Sequence, residues 1–379
     1  MDAALLLHHR DVLYYAGTAR PASLLVLSPG RSAPPAQRAA TLFVRRGLEA
    51  MGGEATVEHV VPMGGVSTIT EAAEQHGLEN GTLGVELDTV TAGLFRRVSE
   101  AFDRWEIRDV APLVLDQRCV KDEGEIAATR RAGSVADAGH SALARAAAEG
   151  MTELELAAEV ERAIRLAGHE GYQPLRYPGA RGGGVLLMSG ENLTVRGGHG
   201  LVVTGAGLSA GSPYGASRRT IQRGDLIVLD IGSIRDGYTA DESRTFVIGQ
   251  PSEAQKALYQ AALTAEEAVL EAIRPGAPVE QLYAAAEAVV ERGAPPFYPV
   301  GGLTLPGFVG HGIGLELDEP PVLWPRGDEA LREGMVLAIE IEVSAPSSQT
   351  MAKVEDTIVV RSDGSEMLTD APRGLTVCG

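Results

Sequence analysis

The chain's hydrophobic pattern is built around one stretch. Leu226-Ile-Val-Leu229 reads as an apolar strand that ends on Asp230, and Asp236-Gly237 supplies a tight-turn signal. A second strand follows, carrying Asp241 among small and polar residues. Further on, alternation puts Met335, Leu337, Ile339, Ile341 and Val343 on one face of a strand, and Val336, Ala338, Glu340 and Glu342 on the other. A last strand over 353–360 has Lys353, Glu355 and Thr357 on a shared face. Helical patterns precede each pair of strands. An Ala-rich helix spans 123–149 and stops at Gly150, and the capping box Thr152-Glu-Leu-Glu155 opens another that ends at Gly168. Ser252 to Gln255 caps a helix running to Arg274, and a further helix covers Val279–Arg292. Residues 171–215 are rich in Gly and Ser and read as loops lining a cleft.

The first third has a different rhythm. Strands are expected over Ala22–Leu27 and Thr82–Glu86, with helices over Ala36–Met51 and Thr89–Arg104. That alternation predicts a smaller α/β domain over residues 1–120, followed by a second domain over 121–379. No chemical constellation is visible in the first domain. His8, His9, His59 and His76 are scattered and read as surface or packing residues, as does His140 in its helix.

Composition narrows the partners. A net charge of −18 argues against a nucleic-acid backbone or an anionic membrane. Cys119 and Cys378 have neither disulfide-framework nor zinc-site spacing and read as reduced thiols. No apolar run reaches transmembrane length, and Leu5-Leu6-Leu7 is too short for a signal peptide, so a cytoplasmic location is expected.

The chemistry lies in the second domain. A carboxylate that follows an apolar strand is costly unless paired, and two brought together by a hairpin repel. Asp230, Asp241, His311, Glu340 and Glu355 each lie on or beside a strand or a Gly-rich turn. Singly, each has an ordinary structural explanation. Together, four carboxylates and one imidazole suit two divalent cations, with Mn, Co, Fe or Zn favoured over a thiolate-type zinc site. Four negative charges balance two dications. Water bridging such ions, about 3.5–4 Å apart, loses a proton near neutral pH and becomes a nucleophile. The glycines around His311 are expected to let the backbone approach a ligand.

These residues resemble the pita-bread metallopeptidase family M24, which includes Xaa-Pro dipeptidase (prolidase), aminopeptidase P, methionine aminopeptidase and creatinase. Asp230 is followed eleven residues on by Asp241, then by Arg244-Thr-Phe246. Gly310-His311-Gly312-Ile-Gly-Leu-Glu316, Gly334-Met335-Val to Glu340, and Val354-Glu355-Asp356-Thr357 match the family's remaining motifs. Weaker matches to the N-terminal domain of prolidases and creatinases occur at Val12–Gly17 and Leu42–Arg46. The resemblance implies an α+β fold, with a C-terminal pita-bread catalytic domain and a smaller N-terminal creatinase-type α/β domain. It implies Asp230, Asp241, His311, Glu340 and Glu355 as ligands of two metal ions, and often a homodimer. In the prolidase-like members it implies cleavage of the bond before proline in dipeptides or short peptides.

Three departures surround that ligand set. Tyr214, in Ser212-Pro213-Tyr214-Gly215, stands where the family has a histidine in Pro-His-Gly. Asp318 replaces a second histidine before Glu319, and Glu340-Ile341-Glu342 replaces Glu-Pro-Gly, adding a carboxylate on the metal-facing side. Tyr214 becomes a candidate donor to an oxyanion, and Asp318 a candidate partner for a substrate ammonium. His199, between Gly198 and Gly200, is a candidate replacement for a lost histidine. The departures also bring in a non-peptidase reading, a creatinase-like C–N hydrolase or a lyase acting on a small amide. A catalytically inactive binding scaffold is the third alternative.

Overall fold

The computed structural model describes residues 1–28, 40–51, 53–171, 175–176, 184–197 and 202–379. They divide into two compact units. Met1–Gln117, joined by the segment at Arg176, makes the first, and the described chain from Arg118 onward makes the second.

The first unit is a six-stranded mixed sheet. Its strands are β1 (Ala3–Leu6), β2 (Ala22–Leu27), β3 (Ala40–Val44), β4 (His59–Pro62), β5 (Gly81–Val85) and β6 (Trp105–Asp109), in the spatial order β4-β3-β2-β1-β5-β6. Its helices are α1 (His9–Ala16), α2 (Val66–Gln75), α3 (Ala92–Ala101) and α4 (Ala111–Cys119). Successive strand residues point to opposite faces, and both faces are apolar. Leu5, Leu25 and Phe43 pack with Ile69 of α2 and Val98 of α3, whereas Leu6, Leu24 and Leu42 pack with Val12 of α1 and Val114 of α4. This arrangement corrects the helix expected over Ala36–Met51. Residues 40–44 are a strand, a short 3-10 turn covers Leu48–Ala50, and 36–39 lie outside the described residues. A strand buried on both faces has no alternation, so its apolar run cannot be told from a helix by periodicity.

The second unit is built from two similar halves. Helices α5 (Glu123–Ala146) and α6 (Glu153–Leu166) precede the hairpin β8 (Leu226–Arg235) and β9 (Tyr238–Ile248). Helices α7 (Glu253–Ala272) and α8 (Val279–Glu291) precede β12 (Val336–Ala345) and β13 (Thr350–Arg361). The smaller strands are β7 (Val185–Ser189), β10 (Gly310–Gly312), β11 (Glu319–Val322), β14 (Gly364–Met367) and β15 (Thr376–Cys378). The sheet runs β11-β10-β12-β13-β9-β8-β7, with β14 beside β13 and β15 beside β9. Asp236 and Gly237 both have positive φ, 54° and 78°, which suits the two-residue turn of the first hairpin.

The helices cover one face of this sheet. Val135, Leu143, Val160 and Ile164 of α5 and α6 pack on Ile227, Leu229, Ile231 and Phe246. Leu258, Ala262 and Ala265 of α7 pack on Leu337, Ile339, Ile341 and Val354. With apolar residues drawn to the helices, strand alternation sends Asp230, Asp241, Ser243, Glu340, Lys353 and Glu355 to the opposite face. Asp230 therefore lies inside a ten-residue strand rather than at the end of a four-residue one.

His140 of α5 is part of this packing, as expected. Its Nε2 lies 3.1 Å from the Glu242 carbonyl oxygen, and its ring stacks on Phe246. Burial, reinforced by the Arg244 charge, pulls its pKa from 6.5 down to about 3. The folded value is the depressed one, so the unfolded chain takes up the proton first as pH falls. The contribution of His140 is complete above pH 6.5 and is lost as pH falls towards 3. Urea unfolding should show stability falling over that interval, with a shallower fall in His140→Phe. Identical slopes would count against the assignment.

Candidate functional site

Strand register carries the site. Glu340 of β12 stands opposite Glu355 of β13, Glu355 opposite Ser243 of β9, and Ser243 opposite Asp230 of β8. The adjacent row on the same face contains His311 of β10 opposite Ala338, Ala338 opposite Thr357, and Asp241 opposite Gly232. Side chain and backbone join Thr357 to Asp241. The Asp241 N–H donates to Thr357 Oγ1 at 2.9 Å, and that hydroxyl donates to the Asp241 carbonyl at 2.8 Å. Five side chains from five strands thus project to one face from two neighbouring rows.

The result is two groups of converging donors. Asp241, His311 and Glu355 offer atoms within 4.8 Å of one another, and so do Asp230, Glu340 and Glu355. Glu355 belongs to both. All five side chains are buried. Ser243 Oγ donates to Glu355 Oε2 at 2.7 Å and fixes the shared carboxylate. His311 Nδ1 lies 3.0 Å from the Gly312 carbonyl, so donation there leaves Nε2 with the lone pair.

Electrostatics test whether this set fits a cation. Asp241 Oδ1 and Glu355 Oε1 are buried without a hydrogen-bond partner. Burial, then the neighbouring Glu355 and Asp230 charges, pushes the Asp241 carboxyl well above its usual range. Burial raises Glu355 to about 8, with the Glu340 and Asp230 charges outweighed in part by Lys353. Burial also raises Glu340, against the opposing pull of Lys353. Crowded, buried carboxylates with orphaned oxygens beside an imidazole are the donors that a divalent first-row ion neutralises. The residues fit such an ion.

Lys353 was readable in the sequence only as sharing a face with Glu355. In the fold it stands opposite Glu342, one row beyond Glu340 and Glu355. Its Nζ lies 2.6 Å from Asp230 Oδ2 and 3.2 Å from Glu355 Oε2, and it also contacts Glu340 Oε1. Burial opposes the ammonium, but Asp230, Glu340, Glu355 and Asp241 more than compensate and hold its pKa well above the ordinary lysine value.

Two expectations about neighbouring residues change. Glu342 shares the face of Glu340, but it serves a loop. Oε2 accepts the Val203 N–H at 2.7 Å, and Oε1 lies 3.4 Å from Arg196 Nη2 and Ser344 Oγ. The glycines flanking His311 make room for backbone rather than for a ligand. A Cβ at Gly310 would stand 2.3 Å from the Ala338 carbonyl oxygen, and one at Gly312 would stand 2.2 Å from that of Pro320. Asp318 is half-exposed, with Oδ1 3.5 Å from His311 Nδ1. Tyr214 is half-buried in a loop where the Gly207 N–H donates to the Gly215 carbonyl and the Leu208 N–H to the Ser212 carbonyl. His199 lies outside the described residues.

A second charged group backs the donors on the helix-covered face. Arg244 Nη2 donates to Glu242 Oε1 at 2.9 Å and to Asp356 Oδ1 at 2.6 Å, while Nη1 donates to the Glu355 carbonyl at 2.6 Å. Each acid here follows a donor in the chain: Glu242 follows Asp241, and Asp356 follows Glu355. The Asp241-Glu242 and Glu355-Asp356 doublets are the sequence trace of this two-sided arrangement.

Residues 127–362 match the profile of Metallopeptidase family M24, and residues 1–120 match that of the Creatinase/Prolidase N-terminal domain. The chain is 28% identical over 377 residues to an Xaa-Pro dipeptidase of Pyrococcus horikoshii, covering 99% of this chain and 94% of that one. Among solved structures it resembles the X-Pro aminopeptidase of Thermotoga maritima, with a TM-score of 0.80 and 25% identity, covering 100% of this chain and 96% of that one. It also resembles an Xaa-Pro dipeptidase from Bacillus anthracis, with a TM-score of 0.82 and 25% identity, covering 99% and 95%.

Arg244 is buried, so its loss would leave Glu242 without its arginine and Asp356 with Arg373 alone. Arg244→Met should lower unfolding free energy by about 3–5 kcal/mol, read from urea midpoints. A change near zero would show that the backing cluster does not hold the strands in place.

Proposed function

The chain belongs to metallopeptidase family M24, with a pita-bread catalytic domain and a smaller creatinase-type α/β domain, and we propose that it is a metal-dependent peptidase cleaving the Xaa-Pro bond of dipeptides or short peptides. The observation that carries this reading is the pair of donor groups sharing Glu355, with Asp241 Oδ1 and Glu355 Oε1 buried and unpartnered. The substrate class follows the names of the relatives, an Xaa-Pro dipeptidase and an X-Pro aminopeptidase.

Asp241, His311 and Glu355 would hold one divalent ion, and Asp230, Glu340 and Glu355 have the donors for another. A divalent ion bound there supplies Lewis acidity for activating water and polarising the scissile carbonyl. The chain's own residues do the rest. Ser243 and Thr357 hold Glu355 and Asp241 in register. Asp318, acidic and half-exposed beside His311, binds the ammonium of the substrate's first residue. Tyr214 donates its phenol hydrogen to the oxygen that gains charge as the carbonyl is attacked.

Asp318 also favours a second reading. With an acid in place of the family's histidine, the site would suit a small cationic amide, and the reaction would be hydrolysis of a different C–N bond. A panel of Xaa-Pro dipeptides, longer Xaa-Pro peptides and creatine-like amides, assayed with added Mn or Co, separates the two. Turnover of the dipeptides is the expected result; turnover of the amides alone would move the chain to the second reading.

Asp241→Ala and His311→Ala should lower turnover by more than about 100-fold, beyond what loss of an outer hydrogen-bond partner costs a metal site, and should lower metal content with it. Unchanged turnover in either variant would sink the metallopeptidase assignment. Tyr214→Phe should cut kcat by about 10²–10³-fold, the scale of a lost oxyanion donor, with metal content unchanged. If kcat does not move, the phenol is a packing group.

A further inference from the structure

The two donor groups are not equivalent. The atoms contacted by Lys353 Nζ belong to Asp230, Glu340 and Glu355, the three members of the second group. Neither Asp241 nor His311 is among the ion-pair partners of that ammonium, and of the two unpartnered oxygens Asp241 Oδ1 lies in the first group alone, while Glu355 Oε1 is on the shared carboxylate. From this asymmetry we infer that the second group holds the Lys353 ammonium as its resident cation, and that a single divalent ion, at Asp241, His311 and Glu355, is the metal complement of the protein.

Three arguments support it. The first is steric. A first-row ion bound by carboxylates sits about 2.0–2.2 Å from each oxygen. Three oxygens within 4.8 Å of one another converge on a single position, and Nζ, 2.6 Å from Asp230 Oδ2, already lies against all three side chains. A dication at that position would stand within contact distance of a buried ammonium.

The second is charge. The ammonium sets one positive charge against Asp230, Glu340 and Glu355, so the second group is neutralised in part without a metal ion. One dication with the ammonium leaves four carboxylates one negative charge in excess, which a bound substrate ammonium can offset.

The third is that the lysine is held in place. Lys353 is 1% exposed on the central strand β13. Its own N–H donates to Thr245 Oγ1 at 3.0 Å, and that hydroxyl donates to its carbonyl at 2.8 Å. The carboxylate across from it in register, Glu342, is occupied by the Val203 N–H.

The inference rests on the metal-site reading above and narrows it from two ions to one. The test is metal content and the EPR spectrum of the purified full chain after incubation with excess Mn(II) and removal of unbound metal. One Mn per chain with the isolated-ion spectrum is expected for the natural sequence, and two with an exchange-coupled spectrum for Lys353→Met. Asp230→Asn should still bind one, and Asp241→Ala none. Two Mn per chain with a coupled spectrum in the natural sequence would overturn the inference and leave the metallopeptidase reading standing. No Mn in any of the proteins would overturn both. If Lys353→Met does not fold, the count and spectrum of the natural sequence decide by themselves.

Discussion

Four carboxylates and a histidine share one buried face of a sheet, and the structure around them serves to make that tolerable. Burial, and after it the neighbouring acids, pushes such carboxyls upward in pKa, as the raised Asp241 and Glu355 show. Positive charge must therefore be supplied from within the same few strands. Lys353 supplies it on the donor side and Arg244 on the helix side, each anchored to backbone as well as to carboxylates. The register of β8, β9, β13 and β12 is the constraint on which everything else depends. Slipping one strand by a single residue would turn Asp241 or Glu355 to the helices and bring Glu242 or Asp356 to the donor face.

That dependence explains why so much of the second unit is spent on alignment. The tight Asp236-Gly237 turn sets the pairing of β8 with β9. Thr357 ties β13 to β9 through Asp241, and Ser243 ties β9 to Glu355. Gly310 and Gly312 let the short strand β10 lie close enough to β12 and β11 to bring His311 into the row. The apolar halves of the same strands pack against two pairs of helices, so burial on one face fixes what the other face displays.

Much of this could be read along the chain. The four long helices of the second unit, three of them opened by capping boxes, were visible from apolar spacing and terminal signals. Asp230 and Glu340 were visible because each interrupts an apolar pattern, whereas Asp241, His311 and Glu355 were legible through the motifs around them. The strand at Ala40–Val44 was not visible, because burial on both faces removes the alternation that distinguishes strand from helix. The full length of β8 was hidden for a related reason: Asp230 looks like a strand end when only local hydrophobicity is counted.

What the sequence by itself determined was the inventory and its faces. Alternation of period two put Glu340 with Glu342, and Lys353 with Glu355, without any knowledge of their neighbours. Only the tertiary structure decided which member of each pair does what. Glu340 meets the ammonium while Glu342 turns to the Val203 loop, and Lys353 reaches back over three acids from three strands. The physical reason is that strand period reports the face of a residue but not the register of the strand beside it. Register is set by pairing between residues more than a hundred positions apart, as with Ser243 and Glu355.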